Sequence, residues 1–392
     1  MGAYLSAPKL EKHSQADSSL LGHKYGVSSM QGWRRTQEDA HLVVDIPGPP
    51  CTSVYGVFDG HGGREVSSFA ALHFVQVLVS TTTFATNLVS AMAPAFHGID
   101  ALLNDPQYLE ELRSLKVSAQ NKGDADGSGN TAGDGDGSGG GRKIPVEEAV
   151  DLFQKMMLFK KMQQEAKNSA GAQQRLSRAG SSSEDSCAVS YVSNAPRVCT
   201  LPPSHVEAGC TAIVACVRGQ QLVIANAGDS RAVLCRAGNA VPLSEDHKPS
   251  LQSESQRIQQ AGGWITVQGR INGNLNLSRA LGDLKYKGNS SVPASAQIIS
   301  AEPEVRSHTL TADDEFLVLA CDGIWDCMVR ICPSSNNGFT NQEVCDFVRE
   351  RIASTPLDKI AEQMFDHCIS EDPKVTQGIG GDNMTALIVA FR

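Results

Sequence analysis

No apolar run in the 392-residue chain approaches the ~18–20 residues that a membrane-spanning helix needs. The longest candidates, 316–320 and 386–391, are only strand-length. Basic charge is in deficit, since 34 Lys+Arg against 43 Asp+Glu leave a net charge of −9, so the footprint for a nucleic-acid backbone is missing. An export signal is also missing, because the N-terminal stretch alternates Lys, His and Ser with short apolar pieces. The eleven cysteines form no C-x-x-C pair. Reduced thiols in the cytosol or nucleus are therefore expected rather than a disulfide framework, and the tripeptides beginning at Asn276, Asn289 and Asn383 should go unglycosylated. There is no His-rich or Cys-rich cluster for structural zinc, no Gly-Lys-Ser/Thr for a P-loop, and no internal repeat. What is present is a globular composition, 41% hydrophobic and 20% charged, with ample material for a core.

The chain divides by texture. Segments 53–59, 211–217, 221–226, 231–235, 315–321 and 385–391 read as short strands, and 64–80, 249–261, 341–352 and 357–369 as helices. The runs 211–217, 221–226 and 231–235 have meander spacing, which predicts antiparallel neighbours. Strands and helices come in separate runs, so an α+β layered sandwich is expected rather than a doubly wound sheet. Between Gly123 and Gly141 lie nine glycines and four aspartates, which cannot bury enough apolar surface to offset chain entropy. A helix over 145–167 and a second loose stretch over 168–203 follow. The expected organisation is an N-terminal segment, 1–24, and a single domain, 25–392, with a largely disordered insertion at about 98–205. Two Asp-Gly runs, from Asp124 and from Asp134, copy the first half of a calcium loop but lack its Glu at the twelfth position, so a solvated acidic linker is the better reading.

Acidic residues recur at the ends of apolar strands beside glycine: Asp59-Gly60, Asp229 after Gly228, Asp322-Gly323 and Asp382 after Gly381, with Glu38-Asp39 nearby. One Asp-Gly alone is usually a turn. Several in one domain point to oxygen ligands for Mg²⁺ or Mn²⁺, and a pair of such ions can activate water and clamp a phosphoryl group.

The blocks Gly32-Trp-Arg-Arg-Thr-Gln-Glu-Asp-Ala-His41, Val57-Phe-Asp-Gly-His-Gly-Gly63 and Asn226-Ala-Gly-Asp-Ser-Arg231 open an ordered series. Asp246-His-Lys-Pro249, Asn272-Gly-Asn-Leu-Asn-Leu-Ser-Arg-Ala-Leu-Gly-Asp283, Ala320-Cys-Asp-Gly-Ile-Trp-Asp326 and Gly381-Asp-Asn-Met-Thr385 complete it. In this order the chain closely resembles the metal-dependent protein phosphatases of type 2C (PPM), and most of all their gamma-type members.

The resemblance implies a central β-sandwich of two antiparallel sheets flanked by helices, with two metals at one edge. It implies that Asp59 bridges the metals, that Gly60 offers its carbonyl, and that Asp322 and Asp382 hold the second ion. Glu38 and Asp39 would line the cluster, mostly through water, and Asp229 together with Asp322 would hold a third, weaker ion. Arg34 matches the phosphate-binding arginine, with Arg35 as its competitor; a planar guanidinium suits two phosphate oxygens. His61 matches the general acid for the leaving Ser or Thr oxygen, and an orienting role beside metal-bound water is the alternative. Thr211 falls where the family has a buried hydroxyl. The expected activity is hydrolysis of phosphoserine and phosphothreonine in proteins by a metal-activated water, with no covalent intermediate. A catalytically inactive phosphoprotein-binding module is the alternative, and the intact Asp59, Gly60, Asp322 and Asp382 favour the enzyme.

Met1-Gly-Ala-Tyr-Leu-Ser6 fits the N-myristoylation pattern with Gly2 as acceptor, and one such chain gives only weak membrane association. A cytoplasmic monomer acting on phosphorylated proteins is expected, with a membrane-associated pool and a nuclear pool left open. Redox control through Cys210 or Cys321 is the minority reading, since most buried cysteines are small hydrophobes.

Overall fold

Alternation of side chains on the apolar strands decides the architecture. The computed structural model describes residues 4–48, 50–120, 206–328 and 341–391. Gly2, the 145–167 helix, both calcium-loop look-alikes and the 168–203 stretch lie outside the described residues.

One sheet has the order β1 (Lys9–Ser18), β2 (Lys24–Gly32), β14 (Met384–Ala390), β13 (Asp314–Ala320), β9 (Arg231–Arg236) and β10 (Asn239–Pro242). The other runs β12 (Glu304–Thr309), β8 (Gln221–Ala227), β7 (Ala212–Arg218), β4 (Thr52–Phe58) and β3 (Ala40–Ile46). A small third sheet joins β11 (Leu281–Gly282), β6 (Gly209–Cys210) and β5 (Gly60–His61). Every pairing between strands is antiparallel.

On β4, Tyr55 and Val57 face the interior between the sheets, while Val54 and Phe58 face outward. Val54 and Phe58 lie under α1 (Glu65–Ser80) and α2 (Leu88–Leu103). On β14, Leu387 and Val389 face inward, whereas Met384, Ala386 and Ile388 meet residues of α6 (Asn341–Arg349) and α7 (Leu357–Cys368). Helices thus cover both outer faces, so β4 and β14 are buried along their whole length and carry apolar side chains on both faces. Each fully buried aliphatic or aromatic side chain contributes ~1.5–3 kcal/mol.

Three features differ from the sequence reading. The 1–24 segment is not separate, because Lys9–Ser18 pairs with β2 as the edge of the larger sheet. Its exposed Lys, Glu and His side chains are what keeps such an edge from pairing further. The stretch from 98 is not loose at its start, since α2 runs to Leu103 and α3 (Leu109–Gln120) follows. Asn87 caps α2 by accepting the Ser90 N–H at 3.1 Å. Finally, β9 is not a neighbour of β8. It crosses to the other sheet and pairs with β13 and β10. The crossing turn, with Gly228 at φ 127°, carries Asp229 between the sheets. Strand spacing cannot reveal such a change of sheet, because a meander and a crossover have the same period.

Helix α7 begins directly on β2. A Cβ added at Gly26 would fall 2.1 Å from the Asp358 backbone nitrogen, where nothing can give way. Gly26→Ala should therefore lower the unfolding free energy by about 3 kcal/mol. Urea unfolding of the two proteins measures it, and an unchanged midpoint would contradict this packing.

Candidate metal centre

The acidic residues collect where the ends of both sheets meet. Ala40 pairs with Phe58, which sets Asp39 and Asp59 side by side at the ends of β3 and β4. In the other sheet Ala320 faces Ala386 on one side and Arg231 on the other. That register brings the residues after β13, before β14 and before β9 to the same edge, namely Asp322, Asp382 and Asp229. After α4 (Gln252–Gln260), Asp322 opens the short helix α5 (Asp322–Met328).

Polar neighbours hold this edge in shape. Asn383 donates to the carbonyls of Gln31 (2.8 Å) and Thr36 (3.0 Å), and its Oδ1 accepts the Glu38 N–H at 3.0 Å. The Glu38 carboxylate accepts from the Thr36 hydroxyl (2.7 Å) and the Gly63 N–H (3.2 Å). Gly60 is packed so closely that a Cβ there would lie 2.2 Å from the Glu38 carbonyl oxygen. Thr385 serves two neighbours: its hydroxyl donates to Asp39 Oδ2 at 2.7 Å, and its N–H donates to Cys321 Sγ at 3.2 Å. Thr211 Oγ1 is buried, 2.7 Å from Ser230 Oγ, and accepts the Asp59 N–H at 3.3 Å.

So many carboxyls in one buried place repel one another. Burial pushes the Asp59 carboxyl well above the ordinary range, and Asp39, Asp322, Asp382 and Asp229 push it further. Burial does the same to Asp322, reinforced by Asp229, Asp382 and Asp326 and opposed by Lys248. For Asp39, burial outweighs the Thr385 hydrogen bond, Asp382 adds to it, and the carboxyl is pushed up to about 7. Asp39 Oδ1 is buried without a hydrogen-bond partner. A carboxylate oxygen of Asp39 lies within 4.8 Å of ligand atoms of Asp59 and Cys321.

Among the described residues, Arg34 and Lys248 meet the cluster as cations. Arg34 Nη2 donates to Asp382 Oδ2, while the Arg34 side chain keeps 46% of its surface exposed. Lys248 Nζ donates to Asp229, whose side chain is 2% exposed. The structure thus brings Arg34, rather than Arg35, to the acidic edge.

These residues fit a hard divalent cation. The donors are carboxylate oxygens, one of them orphaned, and they lower their mutual repulsion only by taking up protons or cations. The one soft atom, Cys321 Sγ, already accepts from Thr385 and donates to the Asn383 carbonyl at 3.6 Å. Burial also pushes the Cys210 and Cys321 thiols well above their usual value, which suppresses the thiolate that oxidants attack. His61 stands beside the cluster, its Nε2 2.6 Å from Asp283 Oδ2. Burial alone would lower its pKa, but Asp283, Asp229 and Glu38 together raise it.

Four residues were not assigned a role from sequence: Lys248, Asp283, Asn383 and Thr385. Each lies inside a quoted motif, so the motif was the available signal. Their partners are 19 to several hundred positions away, which no local pattern reveals.

The model of the family described as "Protein phosphatase 2C" matches residues 23–132 and 148–374. The chain is similar to "Probable protein phosphatase 2C 58" of Oryza sativa subsp. japonica, 38% identical over all of this chain and 90% of that protein. It is also similar to "Probable protein phosphatase 2C 60" of Arabidopsis thaliana, 38% identical over all of this chain and 92% of that one. Among solved structures, a phosphatase from Toxoplasma gondii shares the fold with a TM-score of 0.60 at 21% identity, over 97% of this chain and 96% of that one.

Protonation and cation binding compete at this edge, which fixes a sign. Asp39 holds its proton up to about pH 7 in the folded chain but releases it near ~4 when unfolded. Folding without metal therefore takes up protons, and this contribution to stability is lost as pH rises through the folded value. Asp59 and Asp322 extend the loss to higher pH. A divalent cation reverses it, because binding requires the ionised carboxylates. The melting-temperature difference between Mn²⁺-loaded and chelated protein should widen steadily from about pH 5 to about pH 8. A difference independent of pH would refute this.

Proposed function

Because the chain belongs to the protein phosphatase 2C family, we propose that this acidic edge is the centre at which it hydrolyses phosphoserine and phosphothreonine in proteins. The chain is a metal-dependent protein serine/threonine phosphatase, a phosphoric monoester hydrolase acting on phosphoprotein substrates. The observation that carries the mechanism is the gathering of Asp39, Asp59, Asp229, Asp322 and Asp382 from both sheets, with a buried oxygen lacking a partner.

We assign two Mg²⁺ or Mn²⁺ ions to Asp59, the Gly60 carbonyl, Asp322 and Asp382, with Glu38 and Asp39 lining the centre. Bound there, the metal supplies Lewis acidity, making water nucleophilic near neutral pH and offsetting phosphoryl charge. A third, weaker cation at Asp229 has to displace the Lys248 ammonium, which supports a lower affinity there.

The chain's own groups do the remainder. Arg34 sits on Asp382 with its side chain about half exposed, and we read its guanidinium as the fork for two phosphate oxygens. His61 protonates the leaving serine or threonine oxygen, a role supported by the Asp283, Asp229 and Glu38 carboxylates, which raise the pKa of its ring against the effect of burial. Asn383 and Thr385 keep Glu38 and Asp39 in place without adding charge. No cysteine is needed as nucleophile, and the buried thiols of Cys210 and Cys321 are poorly suited to that role.

We place the protein in the cytoplasm as a monomer, with a membrane-associated pool through myristoylated Gly2, on the strength of the Met1–Ser6 pattern. The region between α3 and β6, about 121–205, we read as a docking element for phosphoproteins, since binding residues concentrate on segments carried by a rigid scaffold.

Two tests follow. Chelation should abolish hydrolysis of a phosphothreonine peptide and Mn²⁺ should restore it, whereas Asp59→Asn should remain about 10³-fold slower at saturating metal. Near-normal turnover in that variant would remove the assignment. In cells, Gly2→Ala should eliminate incorporation of an alkynyl myristate that the unaltered chain takes up; equal labelling of both would exclude Gly2 as the acceptor.

A further inference from the structure

The third sheet is too small to contribute much to stability, yet its register is specific. His61 pairs with Gly209, and Gly209 pairs with Gly282, so three positions lie in a row across β5, β6 and β11. Asp283 follows immediately. Gly209 has no side chain, and the His61 ring and the Asp283 carboxylate meet over it, Nε2 to Oδ2 at 2.6 Å. A Cβ at Gly209 would lie 2.4 Å from Asp283 Oδ2 and 2.7 Å from His61 Nε2, so only glycine leaves the gap open.

Asp283 is itself held in an unusual conformation. Its φ of 50° is left-handed, which Asp and Asn tolerate better than most residues. Its N–H donates to the Ala208 carbonyl at 3.0 Å, and its carbonyl accepts the Tyr286 N–H at 2.9 Å. Behind it, Asp100 of α2 accepts the Gly282 N–H at 2.8 Å and pairs with Lys287. The Asp283 side chain is 2% exposed, while that of His61 is 25% exposed. Among the described residues, His61 Nδ1 has no hydrogen-bond partner, and Nε2 meets only Asp283.

We propose that Asp283 is the positioning residue for His61, holding the Nε2–H and leaving Nδ1 as the nitrogen that protonates the leaving oxygen. The inference rests on the reading of His61 as the general acid. In the step, water attacks phosphorus and releases a proton to solvent while the bond from phosphorus to the serine or threonine oxygen breaks. That oxygen takes the Nδ1 proton. The ring becomes neutral with its Nε2–H still donated to Asp283, and Nδ1 regains a proton from solvent. The products are the free hydroxyl and inorganic phosphate. An orienting carboxylate that fixes the tautomer of a working histidine does the same service in other hydrolytic sites.

The test separates orientation from structure by the leaving group. The aryloxide of an aryl phosphate such as p-nitrophenyl phosphate departs without a proton, whereas a threonine alkoxide does not. Asp283→Asn keeps the shape and tolerates the left-handed backbone. With Mg²⁺ saturating, it should lower kcat on a phosphothreonine peptide about 10²-fold and change kcat on the aryl phosphate by no more than about threefold. Asp283→Glu should recover part of the loss. Nitrogen-15 NMR of histidine-labelled unaltered protein, at a pH where the ring is neutral, should show His61 as the Nε2–H tautomer. Equal losses on both substrates, or an Nδ1–H tautomer in the unaltered chain, would overturn the proposal. His61→Gln run in parallel distinguishes the two readings. If it loses activity equally on both substrates, His61 is not the acid. If it is selective and Asp283→Asn is not, only the positioning role fails.

Discussion

Electrostatic repulsion among buried carboxyls is the constraint from which the rest of this structure follows. Asp39 is buried and Asp59, Asp322 and Asp382 are partly buried where they converge, and the neighbouring carboxylates raise the cost of ionising Asp39, Asp59 and Asp322. A hydrophobic core of this quality could not tolerate such a group at its centre. It can tolerate one at its edge, held by strands whose pairing is secured by apolar faces on both sides. The sandwich interior and the two helix-covered faces together fix the register that makes the carboxyls meet.

The partners around the cluster divide by charge. Arg34 and Lys248 offset part of the negative charge, each from a different side, through Asp382 and Asp229. Asn383 and Thr385 are neutral and hold positions without altering the balance. Neutral supports at the middle and cations at the rim leave the central carboxylates under-compensated, the condition a divalent cation relieves. A further pair of cations at the centre would fill the role of the metal and remove the need for it. Arg231 shows the contrast: it is engaged by both oxygens of Asp246 and by Asn341, and lies over Trp325, so it stabilises the frame instead.

Much of this was legible in the sequence because strand ends are local. An apolar run closing on Asp-Gly places Asp59 and Asp322 whatever the strands pair with, and the blocks around Arg34, Glu38, Asp39 and Asp382 carried the resemblance. What was not legible depended on pairing. The crossing at Asp229 reads as an ordinary hairpin turn, and Lys9–Ser18 lacks the apolar face that marks a strand because it lies at a solvated edge. Helix α2 continues past position 98 because Ile99 and Leu103 are buried against the same core as Phe96, which a change of composition farther along obscured. Asp283 meets His61 across 222 positions and three strands.

The long stretch beyond α3 can be understood by what it leaves undisturbed. The cost of closing a loop grows only slowly with its length, so an insertion of many residues is tolerated if its two ends are fixed. Here one end is α3, packed through Leu112 on the helix-covered face, and the other is β6, reached a few residues after Val206 rejoins the same core. β6 contributes Cys210 and Gly209 to the ladder that holds His61, so the chain is pinned at the point where it matters for the ring. The buried side chains of Val206, Ala208 and Cys210 set the phase of that strand. A shift of one residue would put a side chain where Gly209 now leaves a gap, and would separate the histidine from its carboxylate. Length in the insertion is therefore free to vary, while phase at its return is not.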